Sequence, residues 1–369
     1  MRVLNLLLGS CVLLVSLTGN GASSSSPFRP PLIGVLTEVF RDYKRIVSDK
    51  SIHIAASYVK WLESAGAQVM PIFIDKQDND TELYLEWAFN NTNGLLLPGG
   101  DNWLRPDQPT PMMLAAKQLH RLALNSRTHY PIWGTCLGME LLAVLTDATG
   151  RNRLLRCEQV DLSMKVHLYD GGQAIFSNST GGEDASAIVR IIDQQPVTYH
   201  HHHMCLTKKL LDSAGFYKPL AYTLVDKPFV DIDGQHTDRF VSIMQAYDYP
   251  FFGVQFHPEK PPFEFVYKAK GQSQIEHSRE AIAVSRYFAD FFVQQAALNS
   301  HQVDFKDPRL QSHLIYNFQP TYTAVIDDDI YEQRYIFKYH SRPNVSEDEF
   351  LDHKPTDDDY QRYLIKWQL

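Results

Sequence analysis

The stretch Tyr130-Pro131-Ile132-Trp133-Gly134-Thr135-Cys136-Leu137-Gly138-Met139-Glu140 decides how the chain is read. Apolar Ile132 and Trp133 read as the end of a buried strand, and Leu137 to Leu145 begins an amphipathic helix, so Cys136 falls on the turn between them. Glycines two residues to either side relieve the crowding of so sharp a strand-to-helix turn, and the helix N-terminus behind the sulfur favours thiolate over thiol. An isolated cysteine at such a place is most often a small buried hydrophobe. The two glycines turn the reading toward a nucleophile elbow.

Working outward, Leu32-Ile33-Gly34-Val35-Leu36 reads as a short strand, apolar on both faces. His53 to Gly66 reads as a helix with Ile54, Tyr58, Trp61 and Ala65 on one face and a C-terminal glycine. Val69 to Ile74 is a second strand, Thr81 to Phe89 a helix, Gly94 to Leu97 a third strand running into Pro98-Gly99-Gly100, and Met112 to Leu124 a helix. This alternation predicts a parallel sheet with right-handed crossovers, whose ligand site lies at the carboxyl ends of the strands. Gly99, Gly100 and Cys136 all fall at such ends. Beyond Asp147 the segments Gln159 to Val166, Ile188 to Ile192 and Phe240 to Tyr247 read as β-rich, and no internal repeat is evident. Phe251 to Phe256 reads as a strand ending at His257-Pro258-Glu259, and Glu276 to Ala296 as a long amphipathic helix. Tyr316 to Phe337 is aromatic-rich and expected to drape over the domain, whereas Pro343 to Tyr360 is acidic and expected to be loose.

His257 is the candidate base, because it emerges at the same sheet edge as Cys136 and a Cys-His pair makes an activated nucleophile. Glu259, two residues on, is placed to orient the imidazole. The backbone N–H groups of Gly99, Gly100 and Leu137 are the candidate oxyanion hole. The run His200-His201-His202-His203 invites a metal reading, but in an extended segment only alternate residues share a face and no carboxylate or cysteine spacing accompanies them. No metal and no cofactor is expected, and a cleft-lining histidine is preferred.

The 369 residues carry 35 Lys+Arg against 43 Asp+Glu, a net charge of −8, which argues against nucleic acid and against an anionic membrane surface as partners. At the N-terminus Arg2 precedes the apolar runs Leu6-Leu7-Leu8 and Val12-Leu13-Leu14-Val15 and the small polar run Gly19 to Ser23, so residues 1–22 read as a cleaved secretory signal. No later stretch reads as a membrane span. Sequons at Asn79, Asn90, Asn178 and Asn344 agree with the secretory pathway, and the destination is outside the cell or a lysosome or vacuole. Removing Cys11 with the signal leaves Cys136, Cys157 and Cys205, an odd count that points to one free thiol and leaves a Cys157–Cys205 disulfide open.

Gly134-Thr135-Cys136-Leu137-Gly138 with His257-Pro258-Glu259 resembles the class I glutamine amidotransferase superfamily. Within it, Ile54 to Ala67, Leu97-Pro98-Gly99-Gly100, Trp133 to Gly138 and Tyr249 to Lys260 resemble the gamma-glutamyl hydrolase family, over about Leu32 to Phe337. The resemblance implies an α/β, flavodoxin-like three-layer sandwich. It implies a catalytic domain over 28–300, a C-terminal family segment over 301–338 packed on it, and an acidic tail over 339–369 onto which nothing is carried. It implies Cys136 as nucleophile, His257 as base with Glu259 as third member, and His202 as a substrate-side histidine. The implied substrate is a poly-γ-glutamyl folate with water as acyl acceptor, and the scaffold is compatible with a homodimer. The alternatives are a glutaminase feeding ammonia to a synthetase, which the secretory signal disfavours, and a non-catalytic binding protein, which an intact Cys-His pair disfavours.

Overall fold

The computed structural model describes residues 29–40, 51–74, 81–176, 184–265, 267–268, 271–324 and 331–338. The expected signal, the sequons at Asn79, Asn178 and Asn344, and the tail over 339–369 lie outside them. The central sheet is built first from strands that are buried end to end: β1 (Leu32–Leu36), β5 (Gly94–Leu97), β6 (Ile132–Thr135) and β12 (Phe251–Val254). Strands without polar alternation need cover on both faces, which is what a parallel sheet between helical layers supplies. Together with β4 (Gln68–Ile72) they run parallel in the order β4-β1-β5-β6-β12. Counted among the parallel strands alone this is 2-1-3-4-5, the flavodoxin-like order. Three antiparallel strands extend the β12 edge: β11 (His236–Ala246), β10 (Tyr217–Val230) and β8 (His167–Leu168).

On the sheet, α1 (Ala56–Ser64) packs with α8 (Arg279–Ala297), and α2 (Thr81–Asn90) packs with α3 (Pro111–Asn125). Trp61 locks α1 to α8 by donating its indole N–H to the Ser285 carbonyl at 3.0 Å, and its ring lies 5.7 Å from Trp133 on β6. Trp133 in turn meets Phe292 of α8 at 5.7 Å, so the strand that leads into Cys136 is clamped from above by aromatic packing. The last helix on this path, α4 (Leu137–Thr146), starts directly behind Cys136.

Two smaller sheets frame the carboxyl edge. One joins β15 (Pro320–Tyr322), β16 (Gln333–Lys338), β3 (Ser51–Ala55) and β2 (Glu38–Phe40), with Tyr335 opposite Ile54. The other pairs β7 (Leu155–Met164) with β9 (Thr198–Cys205), and a disulfide between Cys157 and Cys205 closes it, with Cα atoms 5.9 Å apart. Cys136 is the free cysteine among the described residues. The remaining described elements are α5 (Ala185–Gln194), α6 (Lys208–Ala214), the single turn α7 (Lys260–Phe263), α9 (Pro308–His313) and a short β13–β14 hairpin (Tyr267–Lys268, Gly271–Gln272).

Two local expectations are corrected. Ile188 to Ile192 is helical, within α5: the Asp184 carboxylate accepts the Ser186 N–H at 2.9 Å, and Ile188 and Ile192, four residues apart, are both buried. The helix expected from His53 starts at Ala56, because Ser51–Ala55 is claimed as a strand by pairing to both β2 and β16. Long-range pairing of that kind is invisible to local periodicity.

Candidate active site

Cys136 sits at φ 51° and ψ −110°, a left-handed conformation that a side chain adopts only where its surroundings enforce it. The enforcement comes from both sides. Its N–H donates to the Val254 carbonyl at 2.7 Å, and its own carbonyl accepts the Glu140 N–H at 3.0 Å to open α4. The flanking glycines are required by contact as well as by torsion. A Cβ on Gly134 would lie 2.6 Å from the Gly138 backbone, and one on Gly138 would lie 2.1 Å from the Leu97 carbonyl oxygen. The elbow expected from sequence is therefore formed.

His257 leaves the end of β12 and is anchored by its N–H to the Tyr199 carbonyl at 2.8 Å. Its Nδ1 meets Glu259 Oε1 at 2.7 Å, with both side chains almost wholly buried, so Nδ1 carries the proton and Nε2 is left as the basic nitrogen. Nε2 is buried, with no hydrogen-bond partner among the described residues. Gly99 shows where the ring lies: a Cβ there would lie 2.7 Å from His257 Cε1, 3.2 Å from Cys136 Cβ and 2.9 Å from the Tyr58 hydroxyl. Nucleophile and base thus converge on one glycine, and any side chain at that position would occupy the space between them.

The electrostatics of the thiol differ from the expectation of a dipole-stabilised thiolate. Burial pushes the Cys136 thiol well above its ordinary value and the Glu140 carboxylate adds to this; the Leu137 N–H and the Lys260 ammonium pull the other way, and Glu259 pushes up again. The resting sulfur is a neutral thiol that donates to the His201 carbonyl at 3.8 Å. Glu140 itself is buried, which raises its carboxyl to about 7 against the pull of the Gln255 amide, 2.9 Å from its Oε1. A thiol held neutral by burial needs a base at the moment of attack, and His257 Nε2 is the candidate.

Of the three expected oxyanion donors, Leu137 aims its N–H at the sulfur. The Gly99 N–H donates to the Tyr58 hydroxyl at 2.8 Å, and Gly100 lies under the Glu38 carboxylate, which a Cβ there would strike. His202 is buried on β9, with Nδ1 donating to the Met204 carbonyl at 2.9 Å and Nε2 meeting His200 Nδ1 at 3.1 Å. Burial lowers His202 to about 3 and His200 well below its usual value, so neither charges in mild acid. Both are enclosed because alternate residues of β9 point inward. Asn90 is exposed at the end of α2.

The sequence reading missed Tyr58, Lys260 and Tyr331. Tyr331 arrives from the C-terminal segment and donates to the Gly99 carbonyl at 3.5 Å, while Lys260 is fully buried with its Nζ 3.9 Å over the Tyr331 ring. Lys260 directly follows Glu259, and Tyr58 lies on the buried face of α1, so both positions were in view without a signal for their role. Tyr331 had none, since only the β3–β16 pairing brings it to the site.

A buried cysteine on a strand-to-helix elbow at the edge of a parallel sheet, converging on one glycine with a carboxylate-oriented histidine, defines a cysteine-dependent hydrolase. The chain belongs to the Peptidase C26 family, whose pattern matches residues 31–259. It is 33% identical over 332 residues to gamma-glutamyl hydrolase of Homo sapiens, covering 86% of this chain and 95% of that protein. It is 28% identical over 316 residues to gamma-glutamyl hydrolase B of Dictyostelium discoideum, covering 83% of each. Gamma-glutamyl hydrolase 1 of Arabidopsis thaliana is 28% identical over 313 residues, covering 83% of this chain and 82% of that protein. Among the described residues no helix is long and apolar enough to cross a membrane.

Proposed function

We propose that this protein hydrolyses γ-glutamyl isopeptide bonds through a thioester on Cys136, with poly-γ-glutamyl folates as its chief substrates. The observation that carries the reading is the convergence of Cys136 and the His257–Glu259 pair on Gly99. His257 Nε2 takes the proton from Sγ as sulfur attacks the γ-carbonyl carbon, and the imidazolium then gives that proton to the departing α-amine of the next glutamyl residue. Water, deprotonated by the same nitrogen, attacks the thioester carbonyl, and the sulfur leaves with the proton to restore the thiol. The carbonyl oxygen of the tetrahedral species rests on the Leu137 N–H and on the Gly99–Gly100 turn, where the Tyr58 hydroxyl marks the place an oxygen takes on the Gly99 N–H. Glu259 fixes the imidazole, and His202 acts as a neutral wall that holds β9 against the site.

The secretory reading of residues 1–22, a lysosomal, vacuolar or extracellular destination, glycans on the sequons and a homodimeric assembly belong to the same proposal. The similarity to gamma-glutamyl hydrolases supports the substrate class. The test is product analysis after incubation with a pentaglutamyl folate and, separately, with glutamine. Shortened folates with released glutamate or oligoglutamate are the expected products. Ammonia from glutamine with an intact pentaglutamate would overturn the proposal in favour of a glutaminase.

A further inference from the structure

A second chemically loaded cluster lies outside the Cys136 site. Cys157, Cys205 and His202 are all buried and their ligating atoms lie within 4.8 Å of one another. Each sulfur is 3.8 Å from His202 Nδ1. The cluster is shaped by an irregularity in β7: Arg156 pairs with Met204 and Gln159 with His202, so Cys157 and Glu158 together oppose the single residue His203. Glu158 takes φ 40° at that bulge, and the bulge sets Cys157 beside both Cys205 and His202.

We propose that these three residues form a redox-gated site for a soft divalent cation such as Zn²⁺, closed as a disulfide and opened by a thiol reductant. Reduction transfers two electrons and two protons from the reductant's two thiol groups to the Cys157–Cys205 bond, leaving two protein thiols and an oxidised reductant. Binding the cation then releases the two thiol protons to solvent, and two thiolates with one neutral imidazole become the ligands. A tetrahedral zinc with ordinary bond lengths sets sulfur and nitrogen about 3.6 Å apart and the two sulfurs about 3.8 Å apart. The sulfur–nitrogen spacing is already close to this, so opening the site requires the sulfurs to separate and little else. Water takes the fourth position.

The surroundings can accommodate the metal-bound tautomer. With the disulfide closed, His202 Nδ1 must donate to the Met204 carbonyl, so its Nε2 accepts from His200 Nδ1. That leaves His200 Nε2 without a hydrogen, facing Thr198 Oγ1 at 3.2 Å, and the one Thr198 hydroxyl hydrogen is contested between His200 and the Met164 carbonyl at 2.9 Å. When Nδ1 binds metal, the proton sits on His202 Nε2 and donates to His200 Nδ1, His200 Nε2–H donates to Thr198, and Thr198 donates to Met164. His200, Thr198 and Met164 are then satisfied in series, an outer-sphere arrangement that fixes a metal-bound imidazole, while the Met204 carbonyl gives up the hydrogen it received from Nδ1. The site is coupled to catalysis through β9 itself, which gives the His201 carbonyl to the Cys136 thiol and the Tyr199 carbonyl to the His257 N–H.

The experiment uses purified Cys136→Ala protein, so that the catalytic thiol cannot bind the probe, and Co²⁺ as that probe. After reduction with a phosphine, one equivalent of Co²⁺ is expected to give thiolate-to-cobalt charge-transfer absorption and tetrahedral visible bands, to be displaced by Zn²⁺, and to raise the melting temperature. The unreduced protein should show none of this, and His202→Ala should weaken binding by about ten-fold or more. No thiolate–cobalt bands in the reduced protein, or bands unchanged by His202→Ala, would overturn the proposal. A reduced protein that loses its fold and does not regain it on adding Zn²⁺ counts against it equally, because a built site returns folding energy when it is filled.

Discussion

Replacing Glu140 by Gln isolates the electrostatics behind the nucleophile. The carboxyl is buried one turn into α4, titrates near 7 in the folded protein against a reference value of 4.5, and disfavours the Cys136 thiolate when ionised. A raised carboxyl pKa means that the folded state holds the proton more tightly than the unfolded one. Its contribution is therefore harmless below about pH 4.5 and destabilising as pH rises through 7. The shift corresponds to about 3 kcal/mol lost by wild type between those limits. Glutamine keeps the shape and presents an amide oxygen to the Gln255 Nε2 donor but cannot ionise, so Glu140→Gln should match wild type near pH 4.5 and exceed it by up to about 3 kcal/mol at pH 8. Urea unfolding across that pH range reads the stability difference, and the rate of Cys136 alkylation at pH 8 reads the thiolate, which should rise in the variant. A gap between the two proteins that stays constant with pH, or an alkylation rate that falls, would refute the reasoning.

Gly138→Ala should destabilise the fold by at least about 2 kcal/mol, because its Cβ meets the Leu97 carbonyl, which cannot yield as a side chain would; thermal unfolding measures it. His257→Ala should be nearly inactive and Glu259→Ala milder, since the carboxylate orients the ring but transfers no proton; kcat/KM for the pair decides it. On a chain of net charge −8, long polyanionic substrates should gain more than short ones as pH falls toward mild acidity, and with His200 and His202 held neutral the gain must come from other titrating groups. Identical pH profiles of kcat/KM for long and short substrates would remove that argument. Secreted protein should begin near Ser23 and carry glycan at Asn90; peptide mapping before and after deglycosylation checks both.

What could be seen in advance follows a physical division. The parallel core was legible because its strands are continuous apolar runs and its helices carry period-3.6 faces, and the elbow was legible because only glycine permits the approach of α4 to β5 and β6. The placement of Cys136, His257 and Glu259 at the sheet edge was legible because each follows a strand end. Glu140 looked like an ordinary first-turn acid, and only the packing around it shows that it is buried and raised. Tyr331 and the strand Ser51–Ala55 depend on pairing between residues far apart in sequence, and Ile188 to Ile192 was misread because a short apolar run fits strand and helix alike. The inward face of β9 was hidden for a further reason: four consecutive histidines give no alternation from which to tell which two are buried.

An acyl-enzyme on Cys136 can be caught by acid-quenched intact mass spectrometry during turnover of a poly-γ-glutamyl substrate. The expected result is a transient mass increase equal to the acyl fragment, mapped to the peptide containing Cys136, sensitive to hydroxylamine, and absent from Cys136→Ala together with several orders of magnitude of the rate. Wild-type turnover by Cys136→Ala with contamination excluded, or an adduct mapped to another residue, would contradict it.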